Sequence, residues 1–347
     1  MFRSTFLTCL CATLAGCAGS SVDLNPVSND QMTCKEPGPG ASLEIRYLGS
    51  GGHLIRRGST AIMTAPFFSN PGLFRVGVGR ISPDPDRIDA AVEKIIGNGG
   101  RLDDVQAILV GHAHYDHLMD VPHVWREYTP NAKIFGSLTA EHILRGFDIP
   151  SDRIETLNSG AASNWAAGRW VSVGDVRFMA IQSEHAPHAF GIKLYGGEIR
   201  EDLSRPPRRA TGYREGQTFA FLIDFLDPDG SVAFRIHYQD SASNTPLGYP
   251  PALDGDDQRS TDVAIVCAAS FSQVEGYPEG VLRAVDPRYV VLGHWEDFFI
   301  SQEKPPRPVP MTDVAEFVTR TERVLPENSR WVLPKPHAVL RIEQCAE

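Results

Sequence analysis

Three imidazoles and a carboxylate fall within six residues of this chain, His112-Ala-His114-Tyr-Asp116-His117. Imidazole nitrogen and carboxylate oxygen are the donors that zinc-class divalent ions take, at about 2.0–2.2 Å. On extended backbone, residues two apart point the same way, so His112 and His114 can grip one ion. Asp116 and His117 turn past the end of the loop and face a second position. Two ions roughly 3.5–4 Å apart share a water, lower its pKa toward neutrality and polarise the oxygen under attack. The chemistry this predicts is hydrolysis by a metal-bridging hydroxide, with Asp116 orienting the hydroxide and handling its proton. The chain has no Gly-x-Ser-x-Gly elbow to supply a protein nucleophile and no P-loop to cradle a nucleotide. The competing reading is a histidine-rich surface loop without chemistry.

A buried strand must hold this cluster. Val105-Gln-Ala-Ile-Leu-Val110 is almost continuously apolar and stops at Gly111, so His112 starts at a strand's carboxyl end, where ligand sites of layered α/β folds collect. Strands are expected at Leu43–Leu48 and Ala61–Thr64. A helix is expected through Ile88, Val92, Ile95 and Ile96, stopped by Gly97, Gly99 and Gly100. Thr139–Phe147 reads as a short helix. A β-rich half follows, with hairpins about Gly174-Asp175 and about Pro228-Asp229-Gly230. Val263–Cys267 and Tyr289–Leu292 read as buried strands around a helix at Glu279–Val285. Val314, Phe317, Val318, Thr321 and Leu325 mark a last helix, and Ala338–Ile342 a last strand. Residues 196–217, with Arg200, Arg205, Arg208, Arg209 and Arg214 among prolines and glycines, read as a surface insertion. Its arginines could hold an anion or merely offset Glu198, Glu201, Asp202 and Glu215.

His-x-His-x-Asp-His after a buried strand resembles the motif of the metallo-β-lactamase superfamily, and the likeness covers about residues 42–345. The resemblance implies an α/β class fold, a four-layer αβ/βα sandwich. It also implies a later histidine, an aspartate and a last histidine, each ending a strand. His185 after Val176–Ile181, Asp240 in His237-Tyr-Gln-Asp240-Ser241 and His294 after Tyr289–Gly293 occupy those places. One metal is then expected on His112, His114 and His185, and a second on Asp116, His117 and His294, with Asp240 bridging. His188, in Ser183-Glu-His185-Ala-Pro-His188, competes with His185, which lies nearer its strand. The implied cofactors are two divalent ions, zinc in the first place, with manganese or iron as alternatives. Tyr47–Gly52 and Ala61–Ser69 are similar to the branch of N-acylethanolamine phospholipase D-like and ascorbate-phosphate lactonase-like enzymes. That branch carries aspartate where this chain has Ala65, so an expected supporting carboxylate is missing. His53, in Gly49-Ser-Gly-Gly-His53, reads as an ordinary turn histidine or a support for the site. His123, His142, His237 and His337 read as structural or surface residues.

The chain has 347 residues, 42% hydrophobic and 22% charged, with a formal charge of -10. That is an ordinary globular composition, and the acidity argues against a nucleic-acid partner. Residues 1–16 read as a secretory signal: Arg3, then an apolar run from Phe6 to Ala15 too short to span a bilayer. Leu14-Ala15-Gly16-Cys17 resembles a bacterial lipobox. It implies acylation of Cys17, a tether over 17–41, and anchoring in the cell envelope, at the periplasmic face of the outer membrane. Cys34 and Cys345 bracket the folded part and would pair in an oxidising compartment. Cys267 reads as a buried small hydrophobe, and no Cys-x-x-Cys occurs. The expected activity is hydrolysis of a phosphodiester, ester or lactone in a small-molecule or lipid-like substrate. The rivals are an iron-dependent sulfur dioxygenase of the same fold and a binding protein that has lost its chemistry. Pro66-Phe-Phe-Ser-Asn-Pro-Gly-Leu-Phe74 could be an apolar lid over the site or part of the core.

Overall fold

Strands that are apolar on both faces must be covered on both, and fifteen strands among the described residues solve this as two stacked sheets with helices outside. The structure is a computed structural model and describes residues 24–38, 40–96, 102–163 and 165–345. The first sheet contains β1 (Val27–Met32), β2 (Leu43–Gly49), β3 (Gly52–Arg57), β4 (Thr60–Thr64), β5 (Val105–Leu109), β6 (Lys133–Gly136), β7 (Ile154–Thr156) and β15 (Pro334–Ile342). Their order is β1-β15-β2-β3-β4-β5-β6-β7. The second sheet contains β8 (Val171–Val173), β9 (Val176–Ser183), β10 (Thr218–Leu226), β11 (Val232–Gln239), β12 (Val263–Cys267), β13 (Tyr289–Gly293) and β14 (Arg330–Val332). Their order is β14-β13-β12-β11-β10-β9-β8. The helices are α1 (Leu73–Val78), α2 (Pro85–Ile96), α3 (Tyr115–Leu118), α4 (Val121–Tyr128), α5 (Leu138–Arg145), α6 (Glu279–Val285) and α7 (Val314–Glu322).

Successive side chains of a strand point to opposite faces, and this assigns each apolar residue to a layer. Ile45, Ile55, Ala107 and Leu109 of the first sheet meet Phe178, Phe221, Ile236 and Val291 of the second in the central core. Leu54, Met63 and Ile108 face outward onto α2, α4 and α5 through Ile88, Val92, Val124 and Ile143. Val266, Val290 and Leu292 face α6 and α7 through Leu282, Val285, Phe317 and Val318. The result is the four-layer αβ/βα sandwich. Local signals agree with it: Ser137 Oγ accepts from Ala140 N–H at 3.2 Å to start α5, and Asp313 accepts from Glu316 N–H at 3.0 Å to start α7.

Two readings of the sequence change. The tether expected over 17–41 contains β1, which pairs in parallel with β15 and is followed by the Cys34–Cys345 disulfide, Cα–Cα 5.4 Å. Val-Ser-Asn-Asp-Gln-Met hides this because it is a polar edge strand with only Met32 buried. His53 belongs to strand β3, since the turn after β2 takes up only Ser50 and Gly51. The signal segment, Cys9, Cys11 and Cys17, and the helix stop at Gly97, Gly99 and Gly100 lie outside the described residues. Among the described residues no helix is long and apolar enough to cross a membrane.

Candidate metal centre

Strands β5, β9, β11 and β13 all end on one side of the sandwich, and each hands over a polar residue there. After β5 the chain bends at Gly111 and His112, runs extended at His114, and α3 then carries Asp116 and His117. His185 follows β9, Asp240 follows β11 directly and His294 follows β13 directly. All seven converge. His112, His114 and His185 place ligand atoms within 4.8 Å of one another, as do His112, His117 and Asp240, and also Asp116, His117 and His294. The groups share His112 and His117, so they form one continuous cluster with Asp240 between its two outer parts.

Hydrogen bonds decide which atoms remain available. His112 Nδ1 lies 2.6 Å from Asp240 Oδ2, and donating there leaves the Nε2 lone pair free. His185 donates from Nδ1 to Ala186 O at 2.5 Å, with the same consequence. His117 stands between two carboxylates, with Nδ1 3.0 Å from Asp240 Oδ1 and Nε2 3.3 Å from Asp116 Oδ2. Burial opposes its charge, but Asp240 and Asp116 override that and raise its pKa to about 10. Burial likewise opposes ionisation of Asp116 and Asp240. Nearby His117, with His294 for Asp116 and His112 for Asp240, holds both well below the usual carboxylate range. Burial pushes His114 and His185 well below the ordinary imidazole pKa, with neighbouring histidines adding to it, so both are neutral donors of a lone pair.

Compared with family models and with curated protein sequences, the chain matches none. Among solved structures, the metallo hydrolase Igni18 from the hyperthermophilic archaeon Ignicoccus hospitalis superposes with a TM-score of 0.50 at 12% identity, over 87% of this chain and 99% of its own. The metallo-β-lactamase fold protein YhfI from Bacillus subtilis gives 0.46 at 11%, over 86% and 98%. Isothiocyanate hydrolase from Delia radicum gut bacteria gives 0.47 at 9%, over 85% and 98%. The chain shares the fold of the Igni18 metallo hydrolase. At 12% identity that likeness carries the fold and no particular activity.

The donor set on this fold suits divalent ions. His112 Nε2, His114 Nε2 and His294 Nδ1 are buried without a hydrogen-bond partner among the described residues, a costly arrangement unless something else receives their lone pairs. Backbone also gives way to the cluster: a Cβ at Gly51 would lie 2.6 Å from His117 Nδ1, and one at Gly111 would overlap the Asp240 carboxylate. His188 stands outside the three groups. It stacks on His185 at 4.7 Å between ring centroids, and its Nδ1 accepts from Leu194 N–H at 3.1 Å.

Several supporting residues had no signal in the sequence. Tyr238, two residues before Asp240 and on the same strand face, donates its hydroxyl to the Asp240 carboxylate and sits 2.8 Å from Gly51 O. Buried Glu296 accepts from Ser50 N–H at 2.6 Å and from the Tyr47 hydroxyl. That hydroxyl in turn accepts from His294 N–H at 2.9 Å, holding His294 at a left-handed φ of 52°. Glu215, read from the sequence as part of a charged surface, is buried at the end of the arginine-rich insertion. Its carboxylate accepts from His185 N–H at 3.3 Å, and its carbonyl accepts from Ala113 N–H at 2.9 Å. It thereby ties the two ligand loops together.

The remaining histidines have other duties. His53 is buried between Tyr47 and Tyr238, and burial lowers its pKa to about 4. His237 is buried and donates to Gly248 O at 2.8 Å. His123 pairs with Asp89 and His142 with Asp202. The Phe-rich segment divides: Phe67 and Phe68 join the core, whereas Leu73 and Phe74 are exposed. Buried Asp120 accepts from Phe68 and Ser69 N–H, both at 2.7 Å, and so fixes this segment's backbone. A cleft of about 270 Å³ opens over His114, Asp116, His185, Asp240 and His294. Its walls include Leu73, Val76, Leu194, Phe298, Val309 and Met311, and among the described residues no lysine or arginine lines it.

Proposed function

We propose that this chain is a binuclear metal-dependent hydrolase. One ion would be held by His112, His114 and His185, the other by Asp116, His117 and His294, with Asp240 shared between them. The observation that carries this is the three overlapping groups of histidine and aspartate donors, in which His112 Nε2 and His114 Nε2 are buried without partners among the described residues. When bound, two divalent ions supply polarisation of a carbonyl or phosphoryl oxygen and a water of lowered pKa. The chain's own residues do the rest. Asp116, at the floor of the cleft, accepts and returns the proton at its carboxylate. Asp240 fixes the His112 and His117 rings through their Nδ1 atoms. The apolar walls exclude water and bind the part of the substrate away from the reacting bond.

The reacting group belongs to the phosphodiester, ester and lactone classes. The cation-free walls favour an ester or lactone with an apolar arm in a small-molecule or lipid-like compound. Zinc is the proposed metal, with manganese or iron as alternatives. The test is metal analysis of the purified protein, with assays on bis-p-nitrophenyl phosphate, a lactone, an acyl ester and a β-lactam. Two equivalents of zinc with metal-dependent turnover of any of these is the expected result. A single iron with oxygen uptake would replace hydrolysis by oxidation, and no bound metal would remove the proposal.

The same reading places the protein in the bacterial envelope, anchored through acylated Cys17 at the periplasmic face of the outer membrane. Leu14-Ala15-Gly16-Cys17 supports this, as does the Cys34–Cys345 disulfide, which suits an oxidising compartment. Mass spectrometry of the amino-terminal peptide checks it: acyl mass on Cys17 is expected, and an unmodified Cys17 contradicts the anchor.

A further inference from the structure

Nine large apolar side chains stand exposed among the described residues; Leu73, Leu194 and Met311 line the metal cleft, and Phe74, Val78, Phe190 and Ile192 lie within five residues of a lining residue in the chain. Helix α1 contributes Leu73, Phe74 and Val78. The turn after His188 contributes Phe190, Ile192 and Leu194, and Met311 adds a further exposed wall residue. Phe74 is 81% exposed, Phe190 89% and Met311 71%. A contiguous apolar rim of this kind marks a surface that meets something apolar.

Two further observations say what that is. The first is charge. Arg75 lies in α1 and Arg80 just after it, and Arg208 of the insertion is held beside them by the Ile81 N–H to Arg208 O bond of 3.0 Å, with Arg205 and Arg209 close to it in the chain. All five are exposed, and none forms an ion pair among the described residues. The nearby acids Glu198 and Asp202 pair with Arg200 and with His142 and Arg145 instead. The second is chain direction. Val27 pairs with Pro334, and β15 runs antiparallel to β2, so β1 begins at the Gly49 end of the first sheet, the end that carries the cleft. The described chain therefore enters the domain on the same side as the rim, and under the envelope reading the acyl chains on Cys17 would lie only a few residues before that point.

We infer that the rim and its arginines are a docking surface for an anionic lipid bilayer, which holds the cleft mouth against the membrane. Exposed apolar side chains insert at the headgroup boundary while arginines meet anionic headgroups. The inference rests on the envelope placement proposed above and is independent of what the metals do.

The test uses the mature chain from residue 17 with Cys17→Ser, so that neither the signal segment nor an acyl chain supplies membrane affinity. This leaves buried Cys267 and the disulfide, so that one introduced cysteine can carry a bimane label. The label is placed by Phe74→Cys or Met311→Cys at the rim, or by Ser59→Cys in the β3–β4 turn at the far end. Vesicles contain phosphatidylethanolamine, phosphatidylglycerol and a doxyl-labelled phospholipid as quencher. Quenching at 74 and 311 about three-fold or more above that at 59 is expected for rim insertion, and it should fall when phosphatidylcholine replaces phosphatidylglycerol. Equal quenching at all three positions, or none at 74, overturns the inference. So does a doubled mass by light scattering without vesicles with the label at 74 shielded, which would make this face a self-association surface. Quenching indifferent to phosphatidylglycerol removes the role of the arginines. Metal content is measured on the same samples, so failure here and failure of the hydrolase reading are told apart.

Discussion

Two buried polar clusters sit at opposite ends of the second sheet, and they are built on opposite principles. At the hairpin end, Arg235 donates to both oxygens of Asp224, at 2.7 and 2.8 Å, and to Asp257 O at 2.6 Å, while its backbone N–H meets Asp262. Arg177 adds bonds to Asp224 and Asp257. At the strand-end cluster of His112–His117, His185, Asp240 and His294, several imidazole nitrogens have no partner among the described residues. Burying a polar group costs free energy unless it is paired. The first cluster pairs its charges within the protein and so holds the sheet together. The second leaves lone pairs over, and a site that does so is prepared for something from outside.

The comparison breaks most visibly by mutation. His114→Ala and Asp116→Ala should lower kcat/KM on the order of 1,000-fold, with Tm little changed, because neither side chain fills the core. Asp224→Ala should do the reverse. It strands the Arg235 charge and should cost about 3–5 kcal/mol of stability, with turnover per folded molecule unchanged. Paired kinetics and denaturant unfolding decide both, and a Tm collapse in Asp116→Ala would erase the contrast.

How far the sequence foretold each cluster follows from how local its signal is. Strands β5, β12 and β13 were legible because buried parallel strands are continuous apolar runs. The six-residue histidine motif was legible because its donors are adjacent in the chain. His185, Asp240 and His294 needed a further clue, the rule that ligands follow strand ends together with the resemblance. The structure brings all three to the motif. Tyr47, Glu296 and Glu215 were not legible, since each is a single polar residue whose partner lies far along the chain, as in the bond from Tyr47 to Glu296. The Asp224–Arg235 pair was hidden likewise, because it is a cross-strand match visible only once β10 and β11 are in register. Strand β1 escaped notice because an edge strand need not be apolar.

His185 and His188 sharpen the comparison within one loop. They stack on each other, yet only His185 belongs to a three-donor group. His185→Ala should weaken metal binding about 100-fold and His188→Ala only a few-fold, read by competition with a zinc-binding dye. Equal losses would mean that both rings hold metal. The supports come next. Tyr238→Phe and Glu296→Gln should each cost about 10-fold to 100-fold in metal affinity, with little change in overall fold by circular dichroism.

A last effect concerns protons and joins the two principles. Without metal, His117 is held between Asp116 and Asp240, and its folded pKa is about 10 against 6.5 for a free imidazole. The folded state therefore binds this proton more tightly than the unfolded state does. Its stabilisation is complete below about pH 6.5 and is lost as pH rises through 10. Asp116 and Asp240, held below the ordinary carboxylate value, contribute on the other side, and their share is lost as pH falls into the acid range. Chelator-treated protein should thus lose stability between pH 6.5 and 10, by no more than about 1.4 kcal/mol per pH unit for one proton. Metal ions compete for the same His117 nitrogen, so zinc-loaded protein should show a flatter profile. Urea unfolding across that window, with and without zinc, reads both curves. A metal-free stability that climbs with pH would mean that His117 is already neutral and that the two carboxylates do not restrain it.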